Sequence, residues 1–150
     1  MYDATDVSKW FLANIDRESG ESITHLKLQK LLYYAQAWNL VLQDKPMFSN
    51  RIEAWMHGPV VPDVYSQYSA NGYNAIDAPV SSPVFDDNTE HVLREIMRVY
   101  GKYDAKYLEE LTHNEEPWLK TRGNLPLEAR CNDEIPLELM KDFYTRMQNS

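Results

Sequence analysis

The sequence predicts a mainly α, single compact domain over residues 1–150, with at least five helices and one or two short β or extended segments. Apolar residues recur at i, i+3 and i+4 in several separate stretches. Strict alternation is confined to one short run, Ile52 to His57. Glycines and prolines fall between the periodic runs or at their starts, where they punctuate the chain.

Asp3 or Thr5 can cap a first helix, along which Val7, Trp10, Phe11 and Ile15 form one stripe before Gly20. The clearest helix runs from about Thr24 to Leu42. Leu28, Leu31, Leu32, Ala35, Trp38 and Leu42 mark its broad buried face. Asp44-Lys45-Pro46 ends it, because proline cannot continue the ladder. Gln29 and Gln36 sit on this mostly apolar helix and suit buried hydrogen bonding. Within Ile52 to His57, Ile52, Ala54 and Met56 point one way, and Glu53, Trp55 and His57 the other. Gly58-Pro59 turns the chain, and Pro62 opens a short helix with Asp63 near its positive end. Val64, Tyr65 and Tyr68 form its inner face, and Asn71-Gly72 stops it. Residues 73–86 read as a loop with an extended piece at Pro79 to Phe85. Asp87 and Glu90 have capping-box spacing ahead of Val92, Leu93, Ile96, Met97 and Tyr100. Asp104 caps a helix with Tyr107, Leu108 and Leu111. A last helix begins near Pro136 and buries Leu139, Met140, Phe143, Tyr144 and Met147.

Composition narrows the function. The net charge is −8, which argues against a general nucleic-acid binder and against anionic membrane surfaces, and suits a basic partner or plain solubility. The single cysteine, Cys131, cannot form an internal disulfide and fits a reducing cytoplasm. The N-terminus, Met-Tyr-Asp-Ala-Thr-Asp, has no basic or apolar signal region, and no apolar run approaches the roughly 20 residues of a membrane span. His25, His57, His91 and His113 lack ligand spacing, so neither a metal nor another cofactor is expected.

Three stretches carry candidate function. Thr112 to Trp118, Thr-His-Asn-Glu-Glu-Pro-Trp, concentrates a hydroxyl, an imidazole and carboxylates. As chemistry, it offers a small hydrolase using His113 with Glu115 or Glu116. As structure, it is a helix–turn–helix corner with Asn114 capping, exposed His and carboxylates, and Trp118 returning to the core; this is the more economical reading. In Leu26 to Gln36, Lys27 and Lys30 lie at the positive end of a helix, where cations lose some tenths of a kcal/mol, and share a face with Tyr34. That face is either a basic-aromatic patch for an acidic group or an ordinary solvated surface. In Trp55 to Pro62, the glycine and prolines fix the backbone and aim Trp55 and His57 outward or into a groove. The alternative is a core Trp beside a stiff loop.

Taken together, these stretches resemble the Panacea domain, the SocA-like antitoxin and phage-associated protein family. The resemblance rests on Lys-Leu-Gln-Lys-Leu-Leu-Tyr-Tyr-Ala-Gln at Lys27 to Gln36. It adds the apolar-acidic-Ala-Trp run into Gly-Pro-Val at Ile52 to Val60, then Pro62, Val64 and Tyr65. It closes on the Thr112 to Trp118 corner, with Asn114 and Glu116 in variable slots beside Glu115. It covers about residues 4–145. His57 departs from the aromatic residue the pattern favours before the glycine. The resemblance implies a non-enzymatic antitoxin that neutralises a cognate toxin by protein–protein binding. One branch of the family is similar to a proteolytic adaptor, delivering the toxin to a ClpXP-type protease. Partner binding is then expected at Lys27, Lys30, Tyr34, Trp55, His57, His113, Glu116 and Trp118, with Tyr34, Trp55 and Trp118 equally open to core roles. A DNA-binding autoregulator is a further reading, disfavoured by the acidic charge and the lack of a basic recognition helix.

Overall fold

A computed structural model describes residues 1–150 and contains seven α-helices and one small hairpin, with the longest helix at the centre. In chain order they are α1 (Ala4–Ala13), α2 (His25–Gln43), β1 (Glu53–Trp55), β2 (Gly58–Val60), α3 (Pro62–Tyr68), α4 (Asp87–Tyr100), α5 (Ala105–His113), α6 (Glu116–Arg122) and α7 (Leu137–Gln148). The mainly α expectation holds, with two more helices than its minimum of five.

The centre is α2, packed against α1, α3, α4, α5, α7 and β2. Every residue from Leu28 to Ala37 is buried, so the helix has no solvent face over that span. Burial requires its polar residues to find partners. Gln36 donates to the Phe48 carbonyl at 2.8 Å and accepts from the Met47 and Phe48 amides at 2.7 and 3.2 Å. Gln29 accepts from the Val61 amide at 2.7 Å. Both glutamines therefore act as the buried hydrogen-bonders that the sequence suggested. Leu42, expected inside, is 48% exposed, because the buried section of α2 ends before its last turn.

The alternating run forms the first half of a hairpin. Glu53 pairs with Val60, Ala54 with Pro59 and Trp55 with Gly58. Ile52 and Ala54 are buried and His57 is exposed at the turn, as the alternation requires. A distant segment closes the outer edge: the Ala54 amide donates to Asp133 O at 2.9 Å and the Ile135 amide to Ile52 O at 2.8 Å.

Four side-chain caps fix helix starts: Asp3 for α1, Thr24 for α2, Asp86 for α4 and Asp104 for α5. The capping-box assignment shifts by one residue. Asp86 accepts from the Thr89 amide at 3.1 Å, and Glu90 reaches back to the Phe85 amide at 3.2 Å, so Asp87 is already helical. Residues 73–86 form the expected loop, with no hydrogen-bonded strand at Pro79 to Phe85, and Val80 and Val84 stand exposed on it. In α7, Met140 and Tyr144 are buried while Met147 is exposed beside the chain end.

Gly58 lies at φ +104°, where a side chain is strained, and an added Cβ would lie 2.8 Å from Lys30 Cε and 2.9 Å from Thr112 Oγ1. Gly58→Ala should therefore cost at least about 2 kcal/mol. Urea unfolding measures this, and an unchanged midpoint would refute the cradle.

Candidate functional site

The Thr112 corner is built as a joint. The Thr112 hydroxyl donates to Glu109 O at 2.8 Å as α5 ends, and the Glu115 amide donates to Thr112 O at 3.1 Å. Asn114 does not cap the next helix; its amide side chain donates back to Glu110 O at 2.8 Å, and Glu115 is the residue before α6. Pro117 fits the first turn of α6, where its missing N–H is not needed. Trp118 is buried and donates from Nε1 to the Trp55 carbonyl at 2.7 Å. His113 stacks on Trp118 at 4.0 Å, and the Arg122 guanidinium lies 4.7 Å from the same ring. Arg122 is itself buried and donates to the carbonyls of Ala54, Pro126, Leu127 and Ala129. The corner thus joins the hairpin to the chain beyond α6.

Glu115 is the main correction to the surface reading. It is buried rather than solvated. Its Oε1 accepts from the Tyr34 hydroxyl at 2.6 Å and the Tyr144 hydroxyl at 3.0 Å, and the Tyr33 hydroxyl lies 3.0 Å from that of Tyr144. Tyr34 stacks on Tyr100 at 3.9 Å, and Trp38 donates to the Tyr100 hydroxyl at 3.0 Å. Burial pushes the Glu115 carboxyl above the ordinary carboxylate range, against the opposing pull of the two tyrosine hydrogen bonds. Tyr34 therefore serves the interior.

The proposed His113–glutamate pair does not form. His113 lies on Trp118, Glu115 faces the tyrosines, and Glu116 bonds Arg146 and reaches Lys120 at 3.4 Å. General-base chemistry needs the imidazole and carboxylate in hydrogen-bond reach, and these point to different neighbours. Burial lowers the pKa of His113.

Lys27, Lys30 and His57 do converge, on a groove of about 710 Å³ between the start of α2, the α4–α5 connection and the hairpin turn. Lys27 is half-buried and donates to Gly101 O at 2.6 Å, just past the end of α4. Its unfavourable place on α2 is thus offset by the negative end of another helix. Lys30 is 1% exposed, and its ammonium makes one long hydrogen bond, to Pro59 O at 3.3 Å. Burial pushes its pKa down to about 8, with Glu109 pulling the other way. Glu109 is shared: His57 Nδ1 lies 3.2 Å from one oxygen and Lys106 Nζ 3.0 Å from the other. Burial raises the Glu109 pKa, but Lys106, His113 and His57 together hold it below its ordinary value. The basic-aromatic face expected on α2 is therefore divided, with Lys30 and Tyr34 enclosed and Lys27 at the groove.

Trp55 is half-buried, edge-on to Tyr65 at 4.8 Å, and donates to Glu53 at 2.8 Å. Glu116 sits with Arg146 and does not line the groove. No helix is long and apolar enough to cross a membrane.

Residues 28–119 match the family described as Antitoxin SocA-like, Panacea domain. The chain belongs to the SocA-like Panacea family. Antitoxin SocA of Caulobacter vibrioides (strain NA1000 / CB15N) is 33% identical in an alignment 130 positions long that covers 75% of this chain and 69% of that protein. No solved structure matches the chain. The Panacea segment runs from Leu28 on α2 through the hairpin to the Trp118 corner, so it holds Glu115, Lys30 and His57, while Ile15, Glu21 and Lys27 of the groove wall precede it. Tyr144, which completes the Glu115 network, lies outside it on α7.

Glu109, Lys106 and Arg122 were missed by the sequence reading. Lys106 and Glu109 show i, i+3 opposite-charge spacing, a signal shared with many solvated helices. Arg122 carried no signal, since its partners are loop carbonyls.

Two stability measurements follow from the buried charges. Glu115 is more easily protonated in the folded state than in the unfolded chain, where its pKa is about 4.3. The stability it contributes is present below that pH and lost as pH rises through the raised folded value. Glu115→Gln should remove this dependence, so the variant gains on the wild type between acid and neutral pH in urea titrations. Parallel curves would refute the assignment. Lys30 is depressed, so its contribution is present above its unfolded value, about 10.4, and lost as pH falls through about 8. Lys30→Met should be more stable than wild type by roughly 1–4 kcal/mol at pH 7, an advantage that shrinks in alkali. A destabilised variant at pH 7 would show that Lys30 is already compensated.

Proposed function

We propose that this protein is the antitoxin of a bacterial or prophage toxin–antitoxin pair and neutralises its toxin in the cytoplasm by direct protein–protein binding. The observation that carries the reading is the 33% identity to Antitoxin SocA across 75% of the chain. The geometry supports a binding scaffold. Trp118 and Lys30 are buried and bonded to the hairpin at the Trp55 and Pro59 carbonyls, while His57 stands exposed on the turn they support. The toxin-facing surface is the groove and turn that carry Lys27 and His57, extended by Trp55 and the half-buried His113. Glu116 belongs to a separate face on α6 and α7.

Co-expression with each flanking gene that alone arrests growth tests the reading. Rescue with co-purification of the two proteins is expected. Rescue only in cells with ClpXP, with the toxin disappearing, identifies the adaptor route instead of direct blocking. Absence of any toxic neighbour would overturn the antitoxin assignment. His57→Ala should weaken rescue while changing stability by no more than about 0.5 kcal/mol, as at other exposed positions. Full rescue by that variant would move the interface away from the turn.

A further inference from the structure

The groove holds four lysines and His57 against three carboxylates, in a chain whose net charge is −8. Most of these charges are already matched. Lys27 has the Gly101 carbonyl with Glu21 and Asp104 nearby, and Lys106 and His57 share Glu109. Two cations are left over. Lys102 lies 5.2 Å from the Tyr103 ring and has no ion-pair partner. Lys30 has three ammonium N–H donors but one long acceptor, and no carboxylate within ion-pair distance. A buried cation left in that state is costly, and a polar group retained at such cost in a groove wall marks a binding site.

We propose that this groove receives a single carboxylate side chain, Asp or Glu, from the partner protein, with Lys30 as its buried counter-charge and Lys102 at the rim. The inference rests on the antitoxin reading for the source of that side chain. One interior charge, only partly compensated by the Pro59 carbonyl and Glu109, matches one carboxylate. The carboxylates of Glu21, Asp104 and Glu109 would repel a phosphate dianion or a nucleic-acid backbone entering the same space. Ile15, Met97 and the 93%-exposed Tyr73 also border the groove and suit the apolar flank of a peptide. Low dielectric around Lys30 makes its field effective at the groove even though its ammonium is enclosed.

The test uses the intact protein and three probes: a capped hexapeptide of alternating Glu and Leu, the same peptide with Gln, and inorganic phosphate. Amide and lysine ¹⁵N shifts are followed by NMR. The Glu peptide should give saturable shifts at Lys27, Lys102 and Lys106, with the Gln peptide at least tenfold weaker. Lys30→Met should lose at least tenfold in affinity while melting no lower than wild type. Lys102→Ser, at the exposed rim, should lose about threefold and serves as the second variant should Lys30→Met misfold. Equal binding of the two peptides, no saturable binding, unchanged affinity in Lys30→Met, or saturation by phosphate alone would each overturn the proposal. The growth assay is separate. Rescue by a protein blind to glutamate overturns this inference only, whereas selective glutamate binding with no toxic neighbour overturns the antitoxin reading.

Discussion

With Leu28 through Ala37 shut off from water, each polar group on α2 needs a partner from a neighbouring element. Gln36 takes the backbone at Met47 and Phe48, Gln29 the Val61 amide, Lys30 the Pro59 carbonyl, and Tyr34 the Glu115 carboxylate. A satisfied hydrogen bond adds only about 1 kcal/mol net, but a buried group left without one costs about 1–3 kcal/mol. That asymmetry places the hairpin and the Trp118 corner more firmly than apolar contact alone, which tolerates sliding. The three sequence stretches are, in physical terms, α2 and the groups that bond to it, with Gln29 Nε2 left without a partner.

Lys27 and Lys30 show how position decides the role of one side-chain chemistry. They lie one turn apart on the same helix, yet Lys27 ends on a free carbonyl beyond α4 and Lys30 ends under the hairpin. The first repairs a helix terminus. The second is an interior charge with incomplete compensation, set in the wall of a groove whose other cations are largely matched.

Much of the fold was legible because it depends on short-range rules. The 3.6-residue period located α2, α4 and α7, and side-chain caps located the starts of α1 and α5. The two glutamines were readable since a polar residue on an apolar helix has few other options. Glu115 was not, because its partners Tyr34 and Tyr144 are 81 and 29 residues away. Adjacent glutamates look alike in sequence, yet a helix start separated them: Glu115 turned inward and Glu116 turned to Arg146. Lys30 is hidden by the same default, that a lysine belongs in water. Its burial became visible only when the hairpin folded across it.

Gly58 rests on Lys30 and Thr112, and the Trp55 carbonyl two residues before the exposed turn is held by Trp118. The turn that presents His57 is consequently ordered before any partner arrives. Little conformational freedom remains to be lost there, so a partner docking on this turn, as proposed, would meet no folding step. Encounter rates at such a surface are set by long-range charge, and the lifetime of the complex by how well a partner fits a shape that does not adjust. Discrimination among partners then falls on the dissociation rate.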